Sequence, residues 1–160
     1  MATDDSPSDS SLPAIPSEEK MRSLVGHRFP GGQYRIEHWE NFLLSEATGV
    51  SPLPDPLAHP AHLFHVPISG VGVTIAELFR LAESNREAPV SIDYYDWQIF
   101  EPVCEGETYT LEGGITEYER RVSEGAPTVD SLTYEIDMRN EAGKVAAHVA
   151  FRWHYWRLGN

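Results

Sequence analysis

The chain has 160 residues, 12 Lys and Arg against 25 Asp and Glu, a formal net charge of −13 and one cysteine. This length gives a single domain able to bury a core without staples, and the lone Cys104 can form no internal disulfide. The charge excludes nucleic acid and anionic membrane as partners, and with neither a signal-peptide pattern nor a long apolar run the expected setting is the cytoplasm.

The first residues, to about Pro16, are rich in Ser, Asp and Pro. They bury too little to offset the entropy of ordering, so residues 1–17 are expected to be a disordered polar tail and 18–160 the domain. Glu18 to Val25 suits one or two helical turns, and Gln33 to Glu37 alternates like a short strand. From His38 to Ala47, Trp39, Phe42 and Leu43 fall on one helical face before Gly49 stops the helix. Ser51 to Pro60 holds four prolines and must be an irregular connection.

The next stretch, Val66 to Ser84, is the most regular. Val71, Ile75, Leu78, Phe79 and Ala82 keep helical spacing, with Thr74, Glu77, Arg80 and Ser84 opposite, which predicts one amphipathic helix. Pro67 stands ahead, Ser69 is placed as its N-cap, and Gly70 and Gly72 leave the first turn free of bulk. Two readings follow. The glycines either let the helix enter a tight space against a sheet, or bare its N–H groups to an anion.

Asn85 to Pro89 is read as a turn, and strands follow. Val90, Ile92 and Tyr94 share a face, while Trp97 and Ile99 have opposite parity, which predicts a bulge near Asp96. Tyr109, Leu111, Gly113 and Ile115 alternate in a third strand reaching about Val122. Leu132, Tyr134, Ile136 and Met138 mark the fourth, and Val145, Ala147, Val149, Phe151, Trp153 and Tyr155 a long fifth, joined in a hairpin at Asn140–Gly143. One apolar helix and one sheet bury each other when the sheet wraps the helix. The fold class is therefore α+β, a curved antiparallel sheet around a central helix in the hot-dog arrangement, and dimerisation would cover a remaining edge.

Three motifs carry a resemblance: Ala47-Thr48-Gly49, Phe64-His-Val-Pro67-Ile68-Ser-Gly70, and Phe100-Glu-Pro102-Val103-Cys-Glu-Gly106-Glu107-Thr108. In order and spacing they resemble the MaoC-like dehydratases and (R)-specific enoyl-CoA hydratases of the hot-dog superfamily, over roughly Val25 to Arg157. The third looks like that family's Phe-Xaa-Xaa-Pro-Val-Xaa-Xaa-Gly-Asp-Thr opening, with Glu107 in the Asp place. The resemblance implies an acyl thioester, of CoA or acyl carrier protein, as substrate. A loop carboxylate and histidine would manage water and proton, and N–H groups at Gly70 and Gly72, beside Ser69, would hold the thioester oxygen. CoA phosphates would have to draw on the few arginines.

The chain departs from the family at the chemistry. Where the family reads Thr/Ser-Gly-Asp-Xaa-Asn-Pro-Xaa-His-Xaa-Asp, this sequence reads Thr48-Gly49-Val50-Ser51-Pro52-Leu53-Pro54-Asp55, and neither Val50 nor Pro54 titrates. Asp55 and His59 lie in the same loop at the family's own spacing and are the replacement catalytic candidates; the plainer reading makes Asp55 a turn cap and His59, His62 and His65 solvated. No metal is expected, since the prolines forbid a helix that would aim the three histidines together, and no other cofactor is called for. Nothing beside Cys104 in sequence activates a thiolate. Tyr94, Tyr95 and Trp97 are candidates for an acyl pocket, or simply core.

Three functions stay open. The first is a hydratase or dehydratase acting on 2-enoyl and 3-hydroxyacyl thioesters. The second is a non-catalytic subunit shaping the pocket of a catalytic hot-dog partner, in a homo- or heterodimer. The third is a thioesterase, for which Glu77 is the one nameable carboxylate.

Overall fold

The computed structural model describes residues 14–51, 53–84 and 88–158. Most of the expected tail, and part of the expected turn at Asn85 to Pro89, lie outside them. At the edge of the described chain, Pro16 is buried and Ser17 caps α1 (Glu18–Arg22) by accepting from the Lys20 N–H, which places Met21 in the core.

β1 (Gly32–Arg35) leads into α2 (His38–Thr48), whose start is held by reciprocal bonds between Glu37 and Glu40. Gly49, at φ 66°, ends it in a left-handed cap that N–H groups close onto Glu46 and Ser45. Trp39, Phe42 and Leu43 do share a face, but it is turned outward, with about half or more of each side chain's surface exposed.

The strands β2 (Val90–Ile99), β3 (Thr108–Arg121), β4 (Thr128–Arg139) and β5 (Val145–Arg157) form one antiparallel sheet with β1, in the order β1-β3-β4-β5-β2. The alternation read from the sequence is the one that packs. Tyr109, Leu111, Ile115, Leu132, Tyr134, Ile136, Met138, Ala147, Val149, Phe151, Trp153 and Tyr155 are all buried on the inner face. Stacked rings run across it, Tyr95 on Phe151 at 5.1 Å and Phe151 on Tyr134 at 5.0 Å. The long last strand is interior, not an edge. The free edges belong to β1 and β2.

The register shift in β2 falls between Ile92 and Tyr94, earlier than the expected Asp96. Its consequence is that Tyr95, opposite Phe151, joins Val90 and Ile92 on the inner face, while Tyr94, opposite Arg152, turns to the outer one.

The single long helix expected over Val66 to Ser84 is two. α3 (His62–Gly70) begins earlier and runs through Pro67, and α4 (Ile75–Leu81) follows after a bend of 65°. Gly72 takes φ +80° in the break, and a new helix then starts on a capping box between Thr74 and Glu77. α3 lies on the inner face, with His62, Leu63, Val66, Pro67 and Gly70 buried. Ser69 therefore caps no helix.

At the far end of the inner face Asp130, fully buried, accepts from Arg120 Nε and Arg157 Nε, each at 2.7 Å, and from the Tyr118 hydroxyl at 2.8 Å. Arg157 also donates to the carbonyls of Ala82 and Glu83, and Arg120 to that of Pro16. One carboxylate thus gathers α4, three strands' worth of side chains and the N-terminal segment. Elsewhere the cations are also paired: Lys20 with Glu83, Arg22 with Glu18, Arg35 with Glu37, Arg80 with Glu77, Arg139 with Glu112, Lys144 with Glu101 and Arg152 with Glu119. Among the described residues Arg28 and Arg121 alone lack an ion pair, and Arg28 lines a cleft with Glu112, Glu135 and Asp137.

Candidate functional site

The proline-rich loop between α2 and α3 is irregular, as its composition demands, yet it is fastened at several points. Ala58 N–H donates to Val103 O at 2.8 Å, Glu105 N–H to Pro56 O at 2.9 Å, and Leu57 bridges Cys104. Asn41 of α2 clamps the loop from the other side: its Oδ1 accepts from His59 N–H at 2.6 Å, and its Nδ2 donates to Glu105 Oε2 at 2.6 Å. Glu105 also meets His38 Nδ1 at 2.8 Å, so each holds the other charged, with the Glu105 carboxyl below and the His38 imidazole above its ordinary range. Sequence reading passed over His38, Asn41 and Glu105. Only Glu105 carried a signal, since it sits inside the third motif.

Two cavities flank this loop. One of about 300 Å³ is lined by Asp55, His38, Asn41, Phe42 and Glu105; the other, of about 200 Å³, by His59, Leu63, Ile99, Pro102 and Val103. Leu53 and Leu57 belong to both and form the wall between them. Asp55 and His59 consequently face different spaces, and no hydrogen bond or ion pair joins them. His59 is further constrained. Its Nδ1 accepts from Ala61 N–H at 3.1 Å, which leaves the proton on Nε2, 3.3 Å from Thr48 Oγ1.

His62 and His65 both stand on α3, contrary to the expectation that the prolines forbid a helix there, and among the described residues no group of three His, Cys, Asp or Glu could hold a metal. His62 has no exposed surface, and neither of its ring nitrogens has a hydrogen-bond partner among the described residues; burial pushes its pKa down. His65 turns to β1 and α2. Its Nε2 lies 2.9 Å from the Tyr34 hydroxyl, which donates to Glu40 Oε1 at 2.7 Å, and its Nδ1 lies 3.4 Å from Ser69 Oγ.

Gly70 and Gly72 are not at a helix start. Gly70 is the last residue of α3, where an added Cβ would lie 2.8 Å from Leu111 Cδ2 and 3.0 Å from Tyr34 Cβ. At Gly72 the same addition would reach 2.4 Å from the Gly31 carbonyl oxygen. Close packing against Leu111, Tyr34 and the Gly31 carbonyl is what requires them.

Of the proposed acyl-pocket residues, Tyr94 is on the outer face. Tyr95 is half-buried against Phe151 and Phe64, donating its hydroxyl to Phe64 O at 3.2 Å, and Trp97 packs beside it with 43% of its surface exposed. None lines either cavity; Ile99, Pro102 and Val103, just beyond them in the chain, do. Glu77 is committed to capping, its carboxylate accepting from Thr74 N–H and Oγ1, which hold its pKa down. Burial and then Glu107 push the Cys104 thiol up, away from a nucleophile's range. Glu107 itself ties the strand opening together through Tyr109 OH at 2.9 Å and Glu141 N–H at 3.3 Å.

No protein-family model and no curated protein matches the sequence. Solved structures do match. The chain superposes over 89% of its length on 92% of a chain from the ChsH1-ChsH2 complex of Mycobacterium tuberculosis, with TM-score 0.68 and 10% identity. It is similar also to the 3R-hydroxyacyl-ACP dehydratase complex HadBC of the same organism (TM-score 0.61, 10% identity, 79% of this chain and 92% of that one). A third is a MaoC-like dehydratase from Rhodospirillum rubrum (TM-score 0.56, 16% identity, 85% and 94%). The chain has the hot-dog fold. In this hot-dog chain the loop after α2 is the wall of both cavities.

Proposed function

We propose that this protein acts on acyl thioesters, of CoA or acyl carrier protein, as a MaoC-like hydratase or dehydratase that interconverts a 2-enoyl and a 3-hydroxyacyl thioester. One observation carries the reading. The loop that matches the family's catalytic segment walls an otherwise apolar cavity of about 200 Å³ and places one histidine, His59, in it. Apolar walls with one polar group suit an acyl chain whose reacting end stays at the rim. The free edge of β2, with Ile92, Trp97 and Ile99 exposed along it, suits a second hot-dog protomer, and two of the similar structures are complexes.

The second reading is the pocket-shaping subunit of such an assembly. It is favoured by Val50 and Pro54 at the family's titrating positions and by the separation of Asp55 from His59. One assay decides between them. The purified chain, alone and mixed with a catalytic hot-dog subunit, is given crotonyl-CoA, and a saturated acyl-CoA in parallel. Loss of enoyl absorbance with the lone chain supports the hydratase, and turnover confined to the mixture supports the pocket-shaping subunit. Free thiol from both substrates identifies a thioesterase. No turnover together with no binding of either ester sinks the thioester reading. In a hydratase His59→Ala, which opens the cavity wall, should raise KM more than it lowers kcat.

A further inference from the structure

α3 sets an exposed histidine and serine one helical turn apart, His65 and Ser69, and the next residue, Gly70, brings that face of the helix down on Tyr34. The Tyr34 ring meets the His65 ring edge-on at 5.5 Å, with the hydroxyl 2.9 Å from Nε2. Beyond it Glu40 accepts the Tyr34 proton with Oε1 at 2.7 Å, while its Oε2 is fixed by the Glu37 N–H at 3.1 Å in the cap of α2. A phenol has one proton. Since it goes to Glu40, Tyr34 accepts from His65, which puts the imidazole proton on Nε2 and leaves the Nδ1 lone pair toward Ser69 and solvent. Burial, then the bond and charge of Glu40, raise the Tyr34 pKa to about 12, so the link stays protonated across the working range.

Such a chain of acid, phenol and imidazole is not needed to hold α3, whose buried face is apolar apart from His62. It fixes one tautomer of an exposed base. We infer that His65 is the general base of this chain for the reaction proposed above, with Tyr34 and Glu40 as positioning residues, replacing the pair that Val50 and Pro54 cannot provide. The inference rests on that functional reading. In the hydration direction a water oxygen bonds to C3 of the enoyl thioester as its proton passes to His65 Nδ1. The C2–C3 π pair moves toward the carbonyl, and C2 then takes up that same proton from His65 Nδ1, so one water is added and His65 returns to its starting state. Ser69, within reach of Nδ1, is placed to hold that water.

The test uses the whole chain, with its partner if turnover requires one. His65→Gln keeps a group able to reach Tyr34 but accepts no proton, and it should lower kcat about a hundredfold with binding of a saturated acyl-CoA unchanged. Tyr34→Phe should lower kcat about tenfold at constant KM, and in ¹⁵N-histidine spectra the His65 ring should change from one Nε2–H tautomer to a mixture. Circular dichroism and the melting midpoint report whether each variant folds. Full activity in His65→Gln, or a wild-type His65 protonated on Nδ1, overturns the inference and leaves the thioester reading standing. A wild-type protein that binds no acyl-CoA and turns none over removes the reading and the inference together.

Discussion

His62 is a residue whose chemistry and surroundings are at odds, with both ring nitrogens buried and unpartnered. A fully buried imidazole with two unpartnered nitrogens costs about 1–3 kcal/mol for each unmade bond relative to an apolar replacement. Burial is the main reason its pKa lies below the ordinary 6.5, with nearby Glu40 pulling the other way. As pH falls through that value the unfolded chain takes up a proton that the folded chain refuses. The stability present above it is therefore lost on acidification, by up to ~1.4 kcal/mol per pH unit until the folded pKa is reached. His62→Leu should be no less stable than wild type near neutral pH and should lack this slope at a pH below 6.5. Urea midpoints at both pH values check it, and an unchanged slope would place the acid sensitivity elsewhere.

At the scale of elements, the contact between α3 and β1 depends on residues that lack a side chain. Gly70→Ala gains up to ~1 kcal/mol of helix propensity and loses ~1–3 kcal/mol to overpacking against Leu111 and Tyr34. Gly72→Ala has no such offset, because it meets a backbone carbonyl and must hold φ near +80°. Denaturant midpoints should therefore fall for both, and further for Gly72→Ala. The same pair explains what the sequence could and could not disclose. Strands of period 2 were readable because Tyr109 to Ile115 and Leu132 to Met138 alternate without interruption. The helix break was not, because Val71, Ile75, Leu78, Phe79 and Ala82 keep helical spacing through it, and periodicity does not register a positive φ at Gly72. The loop the resemblance singled out does wall a cavity, and His59 lines it. Asn41, Glu105, Tyr34 and Glu40 escaped notice because each acts across 16 to 64 residues or from another element, which no local spacing reveals.

Across the whole molecule the organising charge is Asp130. Burial alone would raise its pKa, but the bonds from Arg120, Tyr118 and Arg157 together outweigh it and hold the carboxyl below its ordinary 3.8. A depressed carboxylate contributes stability that is present above the unfolded value and lost as pH falls through the folded one. Asp130→Asn leaves two arginines facing a neutral amide and should cost ~3–5 kcal/mol at neutral pH, with a smaller deficit in acid, where wild type also surrenders the charge. Thermal unfolding measures both. Hydrogen exchange should show the end of α4 loosening in step with the last residues of β5, because Arg157 bonds the Ala82 and Glu83 carbonyls. Uncoupled exchange at these two places would show that Arg157 does not join them.

The thorough internal pairing of the cations has a kinetic consequence. With nearly every described Lys and Arg already facing a carboxylate, little positive potential is left to offset a net charge of −13. A diphosphate-bearing ligand diffusing toward this chain alone meets a repulsive field that reaches ~10 Å at 0.1 M salt and ~3 Å at 1 M. Encounter is thus slowest in dilute buffer and quickens as ions screen the field, the reverse of the electrostatic steering by which a cationic cleft gathers an anionic ligand.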